Sequence, residues 1–344
     1  MGVVVGVDSH KESVAAAAVD ELGRTLEVRR FANDSTGHDE VLAWVQSNPD
    51  VTRIGIEGSG VYGAALARAL MAAGEDVREV PPTLTFRERC RNGSHGKSDP
   101  VDAVAIARVV VREGALSSPR RTAVWDDLKL LVDYRDQLVR VRTQFSHRIH
   151  RDLVVVHPGY QKHVSDLRSK KNVAQAAKLL RGDRSVRAEL TRRRISQLRR
   201  LDQELTANKT EIASAVARSE TRLTDLPGIG VLIAAKFVAE TGDVTKIRSE
   251  SAFAMLTGTA PLQASSGATS RHRLNRGGNR QLNHALHYMA LVQYRSHPAA
   301  HAYIERKRAE GMSFKEAMRC LKRHLAKVVY RRMMADATRL QIAA

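Results

Sequence analysis

The sequence predicts an α/β domain at the N-terminus, a basic helical segment behind it and a mostly α C-terminal part. Three observations carry that reading. Short β-branched or alanine-rich runs separated by turn residues fill the stretch from Val3 to Val80. From Val124 onward, apolar residues recur at steps of three or four. Charge is also segregated: the formal net charge is +19, yet the chain through Ala115 carries more Asp and Glu than Lys and Arg. The expected bounds are 1–115, 116–221 and 222–344.

In the first part, Val3 to Val7 is a buried strand closed by Asp8, and Glu12 to Asp20 and Thr25 to Phe31 are two further strands. The alternation in the third is loose. Gly37 to Gln46 reads as a helix with Val41, Leu42 and Val45 on one side. Thr52 to Ile56 is a fourth strand, closed by Glu57 and a glycine-punctuated turn, GSG. Val61 to Ala73 is helical, Asp76 to Val80 is a fifth strand, and Pro81-Pro82 stops it. Acids that close the first and fourth strands, in this order of elements, describe a ribonuclease H-like domain with its site at the strand ends.

The stretch KSDPVDA, Lys97 to Ala103, adds a second pair of acids. Pro100 suits a helix's first turn and sets Asp99 and Asp102 near one face. Alone, this is an ordinary acidic helix start. Beside Asp8 and Glu57 it completes four carboxylates, which repel unless a cation lies between them. Such a group suits two divalent ions about 4 Å apart, magnesium or manganese rather than zinc. His10 and Lys11 read as surface or phosphate-facing residues.

GVDSHK, GIEGSG and KSDPVDA together resemble the three acidic motifs of the DEDD (RuvC-like) insertion-sequence transposases, the IS one-ten family of bridge-RNA-guided recombinases. The resemblance implies a metal-binding tetrad of Asp8, Glu57, Asp99 and Asp102. It also implies DNA as donor and target, a guide RNA, and a homo-oligomer whose active site is composite between subunits.

Behind the acidic part, SSPRRTAVW is a linker. Leu128, Leu131, Tyr134, Leu138, Val141, Phe145, Ile149 and Leu153 then mark one long amphipathic helix, ended by His157-Pro158-Gly159. Ile195, Leu198, Leu201, Leu205, Ile212 and Val216 mark a second. Stripes this narrow predict an antiparallel hairpin or coiled coil with a basic outer face. Further on, LTDLPGIGVLIAAKF predicts a helix-hairpin-helix element. Its Gly228 and Gly230 would admit a phosphate to backbone N–H groups, with Lys236 in support. Glu250 to Leu256 is a short helix, followed by a long stretch without hydrophobic period that holds Arg271, Arg273, Arg276 and Arg280.

That stretch also holds Ser265 and Ser266. A serine hydroxyl among guanidinium groups suits attack on phosphorus. The arrangement AP, SG, a basic run and GN is similar to the C-terminal transposase motif of the same family, which implies Ser266 as nucleophile, with Ser265 as the rival. Asn279 is a candidate cap for a helix Gln281 to Tyr294, on which His284 and His287 read as surface residues. Helices Ala299 to Glu310 and Ser313 to Met334 close the chain.

Composition limits the alternatives. No apolar run reaches the length of roughly 18 residues that a membrane span needs. With Cys90 and Cys320 alone there is no disulfide framework or zinc site, and a cytoplasmic setting is expected. Aromatics are 4%, so phosphate contacts rather than base stacking should dominate nucleic-acid binding. The expected activity is a DNA transposase or recombinase. Its rivals are a metal-dependent, RuvC-like structure-specific endonuclease using water, and a nucleic-acid-binding protein with an inactive catalytic fold.

Overall fold

The computed structural model describes residues 2–91, 99–114, 116–119, 123–263, 272–273, 275 and 277–343, with the backbone alone described at 123, 263, 272–273 and 341–343. Lys97, Ser265, Ser266, Arg271 and Arg276 lie outside the described residues. The chain forms two units, Met1–Arg121 and Thr122–Ala344.

In the first unit, β1 (Val3–Ser9), β2 (Ser13–Val19), β3 (Thr25–Ala32), β4 (Val51–Glu57) and β5 (Val77–Glu79) form one mixed sheet in the order β3-β2-β1-β4-β5. The first three strands are antiparallel, and β4 and β5 run parallel to β1. β1 lies in the middle and every one of its residues is buried, hence its continuous valines. β3 is the edge and largely exposed, which explains its loose alternation.

Two helices, α1 (Ser35–Gln46) and α2 (Ala64–Ala72), cover one face, burying Val41, Trp44, Leu66 and Leu70 against Val3, Val5, Val7, Ile54 and Ile56. Asp34 caps α1 by accepting from Gly37 N. The other face carries α4 (Asp99–Arg112), whose Ile106, Val109 and Val110 pack on Val4 and Val19. A helix absent from the sequence reading, α3 (Pro82–Arg91), packs on α4. Pro82 does end the strand, and it also opens this helix, where a missing N–H costs nothing.

Contact with α4 is made through small residues. A Cβ on Gly6 would stand 2.2 Å from Ala103 O and 2.3 Å from Ala107 N, and one on Gly55 would stand 2.4 Å from a Val110 methyl. Gly6 and Gly55 are register partners, so the two glycines form one shallow bed for the helix. Ala15 and Ala17 of β2 extend it under Ala103.

In the second unit, α5 (Ala123–Val156) and α7 (Val186–Arg218) are long antiparallel partners: Leu131 meets Asn208, Arg142 meets Asp202 and Asp152 meets Arg187. α6 (Lys170–Leu179), another helix the sequence reading omitted, closes a small core at the far end with Ile149, Leu153, Val173 and Ile195. At the near end, α8 (Val231–Thr241), α9 (Glu250–Leu256), α10 (Arg280–Ser296), α11 (Pro298–Ala309) and α12 (Phe314–Ala343) surround a larger core that includes Leu128, Ile212, Phe237, Phe253 and Leu286. Two short strands, β6 (Leu262–Gln263) and β7 (His272–Arg273), pair antiparallel.

Midway along α5 and α7 the contact is polar rather than apolar. Arg135 donates to Leu205 O and Asn208 Oδ1, and Arg142 donates to Leu167 O and pairs with Asp202 at 2.5 Å. Tyr134 and Val141, placed on the stripe by their spacing, are exposed, whereas Val132 is buried. Arg135 and Arg142 are therefore struts between the two helices rather than part of a basic outer face. Among the described residues no helix is long and apolar enough to cross a membrane.

The glycine bed makes a direct prediction. Gly6→Ala forces a Cβ onto helix backbone and should destabilise the protein by about 2–3 kcal/mol, read by urea unfolding. Gly60→Ala, with open space around it and no left-handed φ, should change stability by less than about 0.5 kcal/mol.

Candidate active site

β1 and β4 run parallel with Asp8 opposite Glu57. Side chains alternate along a strand, so Asp8 shares the face of Val4 and Gly6, and Glu57 shares that of Gly55. This is the face on which α4 lies. The helix starts at Asp99, so Asp99 and Asp102 occupy its first turn. Asp8 and Asp102 are buried, and the Asp99 side chain is about a third exposed.

Charges of both signs meet here. His10 Nε2 lies 3.2 Å from Asp8 Oδ2 and 3.0 Å from Asp99 Oδ1. Arg30, from β3, reaches Asp99 Oδ2 at 2.8 Å. Arg89, from α3, reaches Asp102 Oδ1 at 2.9 Å. Burial pushes the Asp8 carboxyl above its ordinary range; His10 opposes that, and the charges of Asp102, Glu57 and Asp99 add to it. Glu57 Oε2 is buried with no hydrogen-bond partner among the described residues.

A crowded acid and an orphaned carboxylate oxygen fit a cation. Asp8, His10 and Asp99 each present one donor atom, all within 4.8 Å of one another, and theirs is the only such group among the described residues. Oxygen donors suit hard divalent ions. Asp8 feels the charges of Asp102, Glu57 and Asp99, but only Asp8 and Asp99 of the four expected acids share the three-donor group, with His10 as its third member. The structure adds three residues that the sequence reading did not place beside these acids: His10, Arg30 and Arg89. His10 carried a signal, since it stands two positions after Asp8. Arg30 and Arg89 carried none, because their partners lie far along the chain.

The two halves of the expected site that lie outside the first unit are arranged differently. Gly228 has φ +80° and a Cβ there would stand 2.9 Å from Met289 O, so the turn needs this glycine to pack on α10. A three-residue 3-10 turn, Leu223–Asp225, stands between the end of α7 and Pro227–Gly230. Gly230 is exposed at the N-terminus of α8. Lys236 is not free for a phosphate, for its ammonium is held by Asp136 at 3.0 and 3.1 Å and by Gln281 Oε1 at 2.9 Å. Arg280 is exposed at the start of α10, which Asn279 caps as expected by accepting from Gln281 N and Leu282 N. Lys11 is exposed beside His10.

Residues 5–158, which span all four acids, match the family model for the DEDD domain of IS110 transposases, described as "Transposase". Residues 220–305 match a second model, "Transposase IS116/IS110/IS902 family". The chain belongs to the IS110 family of transposases. Within that family it is 26% identical to the "uncharacterized 42 kDa protein" of insertion element IS900 from Mycobacterium paratuberculosis, over 95% of this chain and 94% of that protein. It is 37% identical to the 43.6 kDa protein of insertion element IS110 from Streptomyces coelicolor, over 34% of this chain and 29% of that one. Among solved structures, RuvC of T. thermophilus in complex with a Holliday junction substrate aligns with a TM-score of 0.29 and 18% identity, covering 35% of this chain and 100% of RuvC.

The crowding at Asp8 is measurable. With a folded value raised above the ordinary 3.8, Asp8 contributes stability that is fully present below that value and is lost as pH rises through the folded one. Asp8→Asn is expected to raise the melting temperature of the metal-free protein at neutral pH by a few degrees. If a divalent ion raises the melting temperature of the wild type, the variant should show no such rise. A metal-free variant that melts lower than wild type would contradict the crowding.

Proposed function

We propose that this transposase cuts and rejoins DNA strands to move an insertion sequence, with Asp8, Glu57, Asp99 and Asp102 holding Mg2+ or Mn2+ and Ser266 as the nucleophile. The observation that carries the reading is the register pair Asp8–Glu57 lying on the face that the first turn of α4 covers. Divalent ions bound there would polarise a phosphodiester and stabilise the departing oxygen. The chain's own groups orient that chemistry. Arg30 and Arg89 fix Asp99 and Asp102, and His10 can hold a proton at Nε2 between Asp8 and Asp99.

In the proposed step, Ser266 Oγ bonds to phosphorus as the bond to the 3′-oxygen breaks. The serine proton balances the 3′-hydroxyl released, and the phosphoserine ester keeps the bond energy for rejoining without ATP. Guidance by a bridge RNA and assembly as a homo-oligomer belong to the same proposal. Arg140, Arg148 and Arg151 are exposed along α5 and suit a polyanion. Leu130, Val139, Val154 and Val155 are exposed on the same helix and suit a second copy of the chain.

The test is a covalent adduct. Wild-type protein incubated with magnesium and DNA carrying an element end should give a denaturant-resistant protein–DNA species, absent in Ser266→Ala and present in Ser265→Ala. Cutting by Ser266→Ala that leaves free 5′-phosphates would instead support an endonuclease using water.

A further inference from the structure

A cavity of about 800 Å³ lies in the second unit between residues 258–261 and Asn275 on one side and α11, the turn after it and α12 on the other. Four basic side chains line it. Lys307 is matched by Glu310 at 2.5 Å and Arg319 by Glu316 at 3.7 Å. Lys322 and Arg323 are not matched by any carboxylate among the described residues. Lys322 is 7% exposed, and its ammonium donates at 2.8 Å to a neutral acceptor, Asn283 Oδ1. Arg323 Nη1 is buried with no hydrogen-bond partner among the described residues.

A buried cation without a counter-charge is unfavourable unless an anion arrives. Burial already pushes the Lys322 amine below its ordinary range, and the Arg319 charge adds to that. The surroundings hold the amine in this position. Asn283 Nδ2 donates to Thr257 O at 2.8 Å and Gly258 O at 3.2 Å, which fixes its Oδ1 toward Lys322. Asn275 Nδ2 donates to Met255 O at 3.2 Å, and Asn279 N donates to Leu256 O at 2.6 Å. Lys322 is therefore tied through Asn283 to the chain that leads into the segment bearing Ser265 and Ser266. Pro261 before that segment and Asn275 after it both line the cavity.

We propose that this cavity seats a phosphodiester of the DNA strand on which the serine segment acts, with Lys322 and Arg323 supplying the counter-charge. It rests on the serine chemistry proposed above and adds the group that holds the strand for it.

The experiment uses the full chain and a fluorescein-labelled DNA duplex covering an element end, with anisotropy recorded across sodium chloride concentrations. Each phosphate contact adds about 0.9 to the steepness of log affinity against log salt. Lys322→Met and Arg323→Gln should each reduce that steepness by about one and weaken binding about tenfold near physiological salt. A second readout separates this from a structural role: Lys322→Met should melt no lower than wild type. If it fails to fold, Arg323→Gln alone decides. Unchanged steepness in folded variants overturns the cavity while leaving the transposase reading in place; no duplex binding by the wild type overturns both. An RNA of the same sequence is the second arm, and loss confined to RNA would overturn the assignment to a DNA strand. Inorganic phosphate that competes with the labelled duplex in wild type but not in Lys322→Met would support the seat; equal competition in both would count against it.

Discussion

A single close approach, backbone of α4 against Gly6, sets the geometry of the first unit. Gly6 sits between Val5 and Val7 in the buried central strand, and its register partners are Ala17 and Gly55. Any side chain there would meet Ala103 O or Ala107 N at less than van der Waals distance. With the bed empty, α4 lies directly on the sheet. Its first turn then comes level with the ends of β1 and β4, so that four acids from three elements face one region. The same two-residue period that turns Gly6 and Gly55 toward the helix turns Asp8 and Glu57 toward it as well. Packing and chemistry are thus consequences of one alternation.

That arrangement is electrostatically unfavourable by itself, and the surrounding residues offset it. Arg30 comes from β3 and Arg89 from α3, and His10 lies between Asp8 and Asp99. Asp8 still lies above its ordinary range, and Glu57 Oε2 has no hydrogen-bond partner among the described residues. The cluster is therefore compensated enough to fold and left short of positive charge where a cation would sit. Lys322 and the Nη1 of Arg323 in the second unit show the opposite sign of the same pattern, buried positive charge without a carboxylate partner among the described residues.

Local chemistry made much of this readable in the sequence. Acids directly after β-branched runs located Asp8 and Glu57, Pro100 marked the start of α4, and Asn279 capped α10 as its side chain suggests. What escaped were features set by distant partners. α3 begins at a proline that also reads as a stop, and α6 is only ten residues long, with a stripe of Val173 and Ala176 that spans barely two turns. Arg135 and Arg142 look like surface charge until Asn208 and Asp202 are brought across from α7. Lys236 likewise reads as a free cation, and only the fold supplies Asp136 and Gln281.

If the register pair and the helix turn form one cation cage, acids from both must bind the same ions. Electron paramagnetic resonance of Mn2+ titrated into the full chain reports this without any DNA. Glu57→Gln on β4 and Asp102→Asn on α4 should each weaken manganese binding by tenfold or more, on the order expected when a carboxylate ligand is lost. Undiminished binding in either variant would show that strand ends and helix do not share a site.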